Sequence, residues 1–175
     1  PPNFPLVADK VRMVGDYVVF VVAETLAQAK DAAEAIAVDY KTLTAVATAP
    51  DAVAPEAPAI WEDNPDNICY FHTAGDAEAV DAAFAGAAHV FSQRLWINRV
   101  SANSMEPRGA IGVYDPFENR YTLYSGLQTP HRNRWDIATN ILHIPETKLR
   151  VVANDVGGSF GMKGGTYREQ LLVLW

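Results

Sequence analysis

The stretch Asn154-Asp-Val-Gly-Gly-Ser-Phe-Gly-Met-Lys-Gly-Gly165 constrains this chain more than any other. It holds five glycines within nine residues, and each glycine inside a helix or strand costs roughly 0.5–1 kcal/mol relative to alanine. The segment is therefore a loop. Its backbone can approach a ligand closely and turn N–H groups toward it, a geometry suited to oxyanions. A strand pattern at 148–153 precedes the loop, and an apolar helix pattern at 167–175 follows it.

Two phosphate-binding explanations fail by spacing. The Walker pattern needs Gly and Lys adjacent before Ser or Thr, whereas Lys163 follows Met162 and precedes Gly164. The dinucleotide fingerprint needs glycines at positions one, three and six, and no glycine here starts that series. Phe160 stands between Ser159 and Gly161, neighbours too small to bury it. It either plugs into a core or forms one wall of a site.

The rest of the chain reads as a mixture of strands and helices. Residues 10–14 and 17–23 are β-rich and joined by Gly15-Asp16, so they predict two paired strands. Thr25 can cap a helix over 27–37 whose small residues face inward, and 38–42 returns to strand character. Between 47 and 65, Pro50, Pro55, Pro58 and Pro65 predict an extended connector. Beyond it come a strand at 68–73, a helix at 76–84, and strands at 88–97, 110–114 and 121–125, the last two joined by the turn Asp115-Pro-Phe-Glu-Asn119. A helix from about 132 to 142 leads to the strand before the glycine loop. The fold class is α+β.

Composition narrows the function. Apolar residues are 49% and charged residues 20%, enough to bury a core and too little charge for a disordered tail. Fourteen basic against 21 acidic side chains leave a net charge of −7, which gives a polyanion such as DNA or RNA no reason to bind. The one cysteine, Cys69, excludes an internal disulfide and a multi-cysteine zinc or iron–sulfur site within the chain. No run approaches the ~20 apolar residues that span a bilayer, and the start lacks the pattern of a secretion signal. These features predict a soluble, cytoplasmic protein with no membrane span. The final helix pattern stops without a cap or basic last turn, so the sequence reads as a fragment.

Two further constellations carry chemistry. In Ser104-Met-Glu-Pro-Arg-Gly109, Arg108 can pair with a carboxylate or with a cofactor phosphate. In Ser125-Gly-Leu-Gln-Thr-Pro-His131, Gln128 sits where a strand ends and a helix begins, with an amide able to donate to an oxo group. Cys69 and His72 have half a metal site's spacing, but a buried cysteine beside an ordinary histidine is the simpler reading. His89, His131 and His143 have no local acidic or serine partner, and neither a nucleophile elbow nor a His-Glu-x-x-His pattern occurs.

Together these motifs resemble one family in order and spacing. Lys10-Val-Arg-Met-Val-Gly-Asp16 with the alanine-rich helix resembles the α/β hammerhead domain of the molybdenum hydroxylases, the xanthine dehydrogenase, aldehyde oxidase and aerobic carbon-monoxide dehydrogenase group. Met105-Glu-Pro-Arg-Gly-Ala110, Leu127-Gln-Thr-Pro-His131 and Asp155-Val-Gly-Gly-Ser-Phe-Gly-Met-Lys163 resemble successive motifs of that family's molybdopterin-binding region. The resemblance implies an N-terminally incomplete hammerhead over 1–47, the connector over 48–67, and the first part of a molybdopterin-binding domain over 68–175. It implies a large-subunit fragment of an oxidoreductase that hydroxylates an aldehyde, N-heterocycle or CO type substrate.

By the same resemblance, Gln128 hydrogen-bonds an oxo ligand of the metal, and Gly158, Ser159, Phe160 and Gly161 line the cofactor. The cofactor is molybdenum–molybdopterin, of which the cytosine dinucleotide is one form, held by its own dithiolene and not by protein cysteines. Electrons pass to [2Fe-2S] and FAD centres on partner subunits or domains, and the full-length protein is oligomeric. The general-base glutamate is implied to lie far C-terminal of these residues, so the isolated fragment is expected to be inactive. There are departures from the pattern: Ser159 stands for a third glycine, Tyr17 for a proline, and Gly164 for the glutamate of xanthine- and aldehyde-type members. Phe160-Gly-Met-Lys163 with Tyr167 is closer to the bacterial carbon-monoxide-dehydrogenase-like large subunits. The competing reading is a noncatalytic binding or assembly module whose glycine loop holds a phosphate-bearing ligand.

Overall fold

Asp115 and Asn119 organise the hairpin around which the fold is built. The Asp115 carboxylate accepts the N–H groups of Phe117 (2.9 Å) and Glu118 (3.2 Å), and Asn119 takes the left-handed conformation at φ 47°. In this computed structural model the turn joins β1 (Ala110–Asp115) to β2 (Arg120–Ser125), antiparallel with Ala110 opposite Ser125 and Asp115 opposite Arg120. A third strand, β3 (Leu149–Val152), lies parallel to β2 with Leu123 opposite Val151. The strand order is β1-β2-β3.

The structure describes residues 4–98 and 100–175. They fall into two compact units, one within Asp39–Arg99 and one that brings Pro2–Val38 together with Val100–Trp175. The second unit contains the sheet and the core. Leu123 and Ile137 are fully buried and pack with Ala138, Leu149 and Leu174. The core residues come from β2, β3, the helical segment between them and residues just after α5 (Arg168–Leu172). Gly112 is required here, because a Cβ on it would overlap the carbonyl of Val173 just after α5.

The helix expected at 132–142 has two geometries. α4 (Pro130–Trp135) starts with proline in its first turn, where no intrahelical donor is lost. It passes into a π-helix over Asp136–Ile141, closed by the Leu142 N–H on the Ile137 carbonyl at 2.8 Å. The wider turn buries Ile137 and Ala138 while Asp136 accepts the Thr166 hydroxyl at 2.7 Å.

At the N-terminal side of this unit, α1 (Leu26–Glu34) carries the expected Thr25 cap. Gln28 donates its N–H to the Thr25 hydroxyl (3.2 Å) and its side chain accepts the Thr25 N–H (3.0 Å), a capping box. The expected burial of its alanine face does not occur, since no α1 residue is buried. Nor do 10–14, 17–23 and 38–42 form strands. A strand persists by completing a ladder. Here the pairing is the Val7 N–H on the Tyr17 carbonyl (2.9 Å), and Val19, Phe20 and Val22 stay 47%, 39% and 79% exposed. The Gly15-Asp16 turn does form, with Gly15 at φ 97° and the Asp16 carboxylate accepting the N–H groups of Arg12 (2.7 Å) and Met13 (3.1 Å).

The other unit corrects the reading of an extended connector. Thr48 caps the short α2 (Ala49–Ala52), which tolerates Pro50 because it lies in the first turn. The chain then folds around Asn67, left-handed at φ 58°, whose amide donates to the carbonyls of Ala52 (2.9 Å) and Pro58 (3.1 Å) and accepts the Ile60 N–H (2.9 Å). The side-chain amide meets backbone groups that proline-broken backbone leaves without ladder partners. α3 (Ala77–Gly86) follows, capped by Asp76. The expected strands at 68–73 and 88–97 are not formed by the described residues, and Cys69 is exposed rather than buried, with Tyr70 and Phe71 80% and 82% exposed beside it. With no paired sheet face behind it, this segment has nothing against which to bury alternate side chains.

Candidate functional site

The three motifs singled out in the sequence meet on one side of the larger unit, and Lys163 is where they join. Its side chain is fully buried, a position lysine almost never takes unless paired. The ammonium is paired with the Glu106 carboxylate from the Met105–Gly109 motif. The same carboxylate oxygen accepts the Gly157 N–H at 2.8 Å, and the Glu106 N–H donates back to the Gly157 carbonyl at 3.3 Å. The Ser104 hydroxyl closes this corner on the Glu106 carbonyl at 2.7 Å.

The glycine loop is wound by its own side chains and glycines. Gly158 and Gly161 have φ of 94° and 93°, which an L side chain adopts only under strain, and Phe160 itself is left-handed at φ 51°. Ser159 accepts the Met162 N–H with its carbonyl (2.9 Å) and the Lys163 N–H with its hydroxyl (3.0 Å). Ser159, in place of a third glycine, thus supplies an acceptor that glycine lacks. Phe160 neither plugs the core nor hides, being 77% exposed. Among the described residues, no hydrogen bond takes up the N–H groups of Ser159, Phe160 or Gly161.

Gln128 is brought to this loop through its backbone. Its N–H donates to the Lys163 carbonyl at 3.0 Å, and its side-chain amide makes no hydrogen bond among the described residues. Gly164 leaves it room, since a Cβ there would lie 3.0 Å from Gln128 Oε1. Behind Gln128, the Thr129 hydroxyl donates to the Gly164 carbonyl (3.2 Å), and buried Asn133 of α4 donates to the Gly165 carbonyl (2.9 Å). The start of α4 and the end of the loop are thereby sewn together.

Arg108 takes the carboxylate of the two partners open to it. Its Nε donates to Glu169 of α5 at 2.7 Å and its guanidinium lies 4.0 Å from the centre of the Tyr167 ring. The Tyr17 hydroxyl donates to the other Glu169 oxygen at 3.2 Å, and Arg168 pairs with Asp16 at 2.7 Å. The Glu169 carboxylate raises the guanidinium pKa of Arg108. Burial and Glu169 push the Tyr17 phenol up as well. Tyr17, where the family resemblance has proline, therefore ties the Gly15-Asp16 turn to the helix that follows the loop. Arg108, Tyr17, Ser104, Met162 and Glu169 line a cleft of about 410 Å³.

Comparison with known proteins identifies this arrangement. Residues 60–175 match the molybdopterin cofactor-binding domain, and residues 2–44 match the a/b hammerhead domain of aldehyde oxidase and xanthine dehydrogenase. The chain belongs to the molybdenum hydroxylase family. It is 34% identical to the carbon monoxide dehydrogenase large chain of Hydrogenophaga pseudoflava over 93% of its own length and 22% of that protein's. It is 35% identical to the nicotine 6-hydroxylase large subunit of Paenarthrobacter nicotinovorans, covering 98% of itself and 21% of the relative. The solved structure of reconstituted CO dehydrogenase from Oligotropha carboxidovorans superposes with a TM-score of 0.87 at 32% identity, over 96% of this chain and 22% of that one. The chain thus spans about a fifth of the length of the curated relatives it matches.

Within this molybdenum hydroxylase segment, Gln128 and the loop residues Gly158, Ser159, Phe160 and Gly161 lie together. Cys69 and His72 stand in the other compact unit and His143 bonds the Thr139 carbonyl through its ring. Among the described residues no three His, Cys, Asp or Glu side chains stand where they could hold a metal ion, and no helix is long and apolar enough to cross a membrane. Sequence reasoning missed Glu106 and the burial of Lys163. A lysine within a glycine loop and a glutamate beside a proline were the signals, but neither names the other as its partner.

The Lys163 ammonium and then the Gly157 N–H hold the Glu106 carboxyl below its ordinary value of 4.5. A carboxylate with a lowered folded-state pKa stabilises the fold above its unfolded pKa, and that contribution is lost as pH falls through the folded one. Protection of the Gly157 amide from hydrogen exchange, corrected for intrinsic rate, should be constant from pH 7 to about 5 and fall at lower pH. In Glu106→Gln this acid step should vanish. Protection that changes identically in both proteins would show that Glu106 does not anchor the loop.

Proposed function

We propose that the protein is the molybdopterin-binding large subunit of a molybdenum hydroxylase, acting on an aldehyde, N-heterocycle or CO type substrate. One observation carries the reading: three consecutive loop N–H groups without an acceptor lie in the same motif assembly as an exposed Gln128 amide without a partner. Donors left open in this way suit the oxygens of a cofactor. Gly161 fits a close approach too, since a Cβ there would meet nothing within 4 Å.

In this reading Gly158, Ser159, Phe160 and Gly161 hold the cofactor, with Phe160 forming an exposed wall over it. Gln128 donates its amide to an oxo group of the metal centre. The molybdenum centre supplies two-electron oxidation when bound. The residues of this chain orient it, and Lys163 and Glu106 keep the loop's donors in place. We assign the cytosine dinucleotide form to the cofactor and the iron–sulfur and FAD centres to partner subunits of an oligomeric complex. Relatives named as large chains or large subunits support that division of labour.

The test is made in the full-length protein. Molybdenum and pterin should be present, and Gln128→Ala should keep both while kcat falls ~10²–10³-fold, the usual effect of removing one preorganised donor. Cofactor retained with kcat within threefold of wild type would remove Gln128 from the mechanism. A full-length protein that contains neither molybdenum nor pterin would sink the function and favour a noncatalytic binding module.

A further inference from the structure

The buried ammonium of Lys163 makes demands that the motifs around it satisfy. Removing an ammonium from water costs several kcal/mol unless a partner and hydrogen bonds compensate it. Glu106 provides the charge. Its side chain is 43% exposed while that of Lys163 is 0% exposed, so the pair sits at the boundary of the core with the lysine on the inside. One Glu106 oxygen binds both the Gly157 N–H and the Lys163 ammonium, closing the loop at its entry and its exit. Gly158, Ser159, Phe160 and Gly161 lie between these two ties.

Lys163 reaches Gln128 and Ser159 by its backbone as well. Its carbonyl accepts the Gln128 N–H at 3.0 Å and its N–H donates to the Ser159 hydroxyl at 3.0 Å. The pair also dictates two glycines. A Cβ at Gly157 would come 2.6 Å from Glu106 Cβ, and one at Gly126 would lie 3.3 Å from Glu106 Oε2 and 3.6 Å from Lys163 Nζ. Glycines at 126 and 157 are what allow the carboxylate to enter between the Gln128 strand end and the loop.

We infer that the Lys163–Glu106 pair is a positioning device for the cofactor site, setting the Gln128 amide and the loop N–H groups in register with each other. This inference rests on the proposed function. Neither side chain needs to touch the cofactor. A shift of about 1 Å in a positioned group can cost ~100-fold in rate, and Lys163 controls the backbone of both halves of the site. The pair acts through the geometry of Gln128 and the loop.

The test uses the full-length protein with Lys163→Met, Glu106→Gln and, for comparison, Gln128→Ala. In both pair variants the molybdenum and pterin contents should stay near wild type. The kcat should fall ~100-fold with little change in KM, and the paramagnetic resonance spectrum of the reduced molybdenum centre should shift in the same sense as in Gln128→Ala. In cofactor-free protein, the hydrogen-bonded amides of Gly157, Met162 and Lys163 should exchange faster while those of β2 do not. Glu106→Gln is isosteric and carries the test alone if Lys163→Met fails to fold. Wild-type spectrum and kcat per bound molybdenum in the pair variants would overturn the inference, even if cofactor content fell, because the pair would then be a mere staple. Wild-type protein without molybdenum would instead overturn the proposed function, and the inference with it.

Discussion

Leu123→Ala is expected to weaken the larger unit by about 2–5 kcal/mol, the range for removing a fully buried leucine and leaving a cavity. Leu123 is 0% exposed on β2, the central strand, with Gly112 opposite it on β1 and Val151 opposite it on β3. Collapse around the lost side chain is hindered on both sides. Gly112 has no side chain to move, and a backbone shift at Gly112 meets the carbonyl of Val173. Ile137 and Ala138 come from the π-helix, whose position is fixed by the Asp136 contact with Thr166. Hydrogen exchange of the β2 and β3 amides in the full-length protein should therefore accelerate by about 30-fold to several thousand-fold. Acceleration below about tenfold would mean that the core does not centre on Leu123.

The part of the fold that this side chain holds together was the part most legible in the sequence. The β-type composition of 110–114 and 121–125, with Asp115 and Asn119 at the turn, predicts a hairpin whose local chemistry agrees with its long-range burial. The strand before the glycine loop followed for the same reason. Residues 17–23 have equal β character, but a strand is specified by its ladder, and the Val7 to Tyr17 hydrogen bond is no substitute for one. The π geometry of Asp136–Ile141 leaves no signature in apolar periodicity, because it depends on what Asp136 meets 30 residues later at Thr166. Asn67 shows the same limit. Composition marks residues 47–65 as proline-broken, while the compactness there comes from one amide that reads as an ordinary polar residue.

The site divides along similar lines. The glycine loop and Gln128 are visible because their chemistry is local: glycines that permit positive φ, and an amide at a strand end. Glu106 and Lys163 are separated by 57 residues, and only tertiary structure makes them a pair. Arg108 was legible as a residue in need of an anion, but the choice of Glu169 over a phosphate depends on α5 folding back beside it. The sequence therefore located the groups that face a ligand better than the groups that hold those groups still. Ligand-facing residues depend on unusual local backbone, whereas their supports depend on distant partners.

Gly157→Ala turns that distinction into a second large effect. The new Cβ would stand 2.6 Å from Glu106 Cβ and 3.6 Å from the Glu106 N–H nitrogen, a clash with the base of a side chain and not with its flexible end. Glu106 cannot swing aside cheaply, since its N–H bonds the Gly157 carbonyl and its carboxylate holds Lys163. The loop entry must move outward instead. Forcing a methyl into such a site costs about 1–3 kcal/mol, spread over the Gly157 tie and the ion pair. The expected result in full-length protein is a loss of at least ~100-fold in kcat. Gly165→Ala is the control, because a Cβ there meets nothing within 4 Å and Gly165 has no positive φ. It should keep kcat within about threefold, as surface substitutions away from such contacts usually do. Combining Gly157→Ala with Glu106→Gly should distinguish crowding from mere loss of a glycine. If crowding is the cause, the double variant is no worse than Glu106→Gly alone, because the Cβ that the new methyl would meet is already gone. Additive losses would show that Gly157 matters for its backbone freedom rather than for the room it gives Glu106.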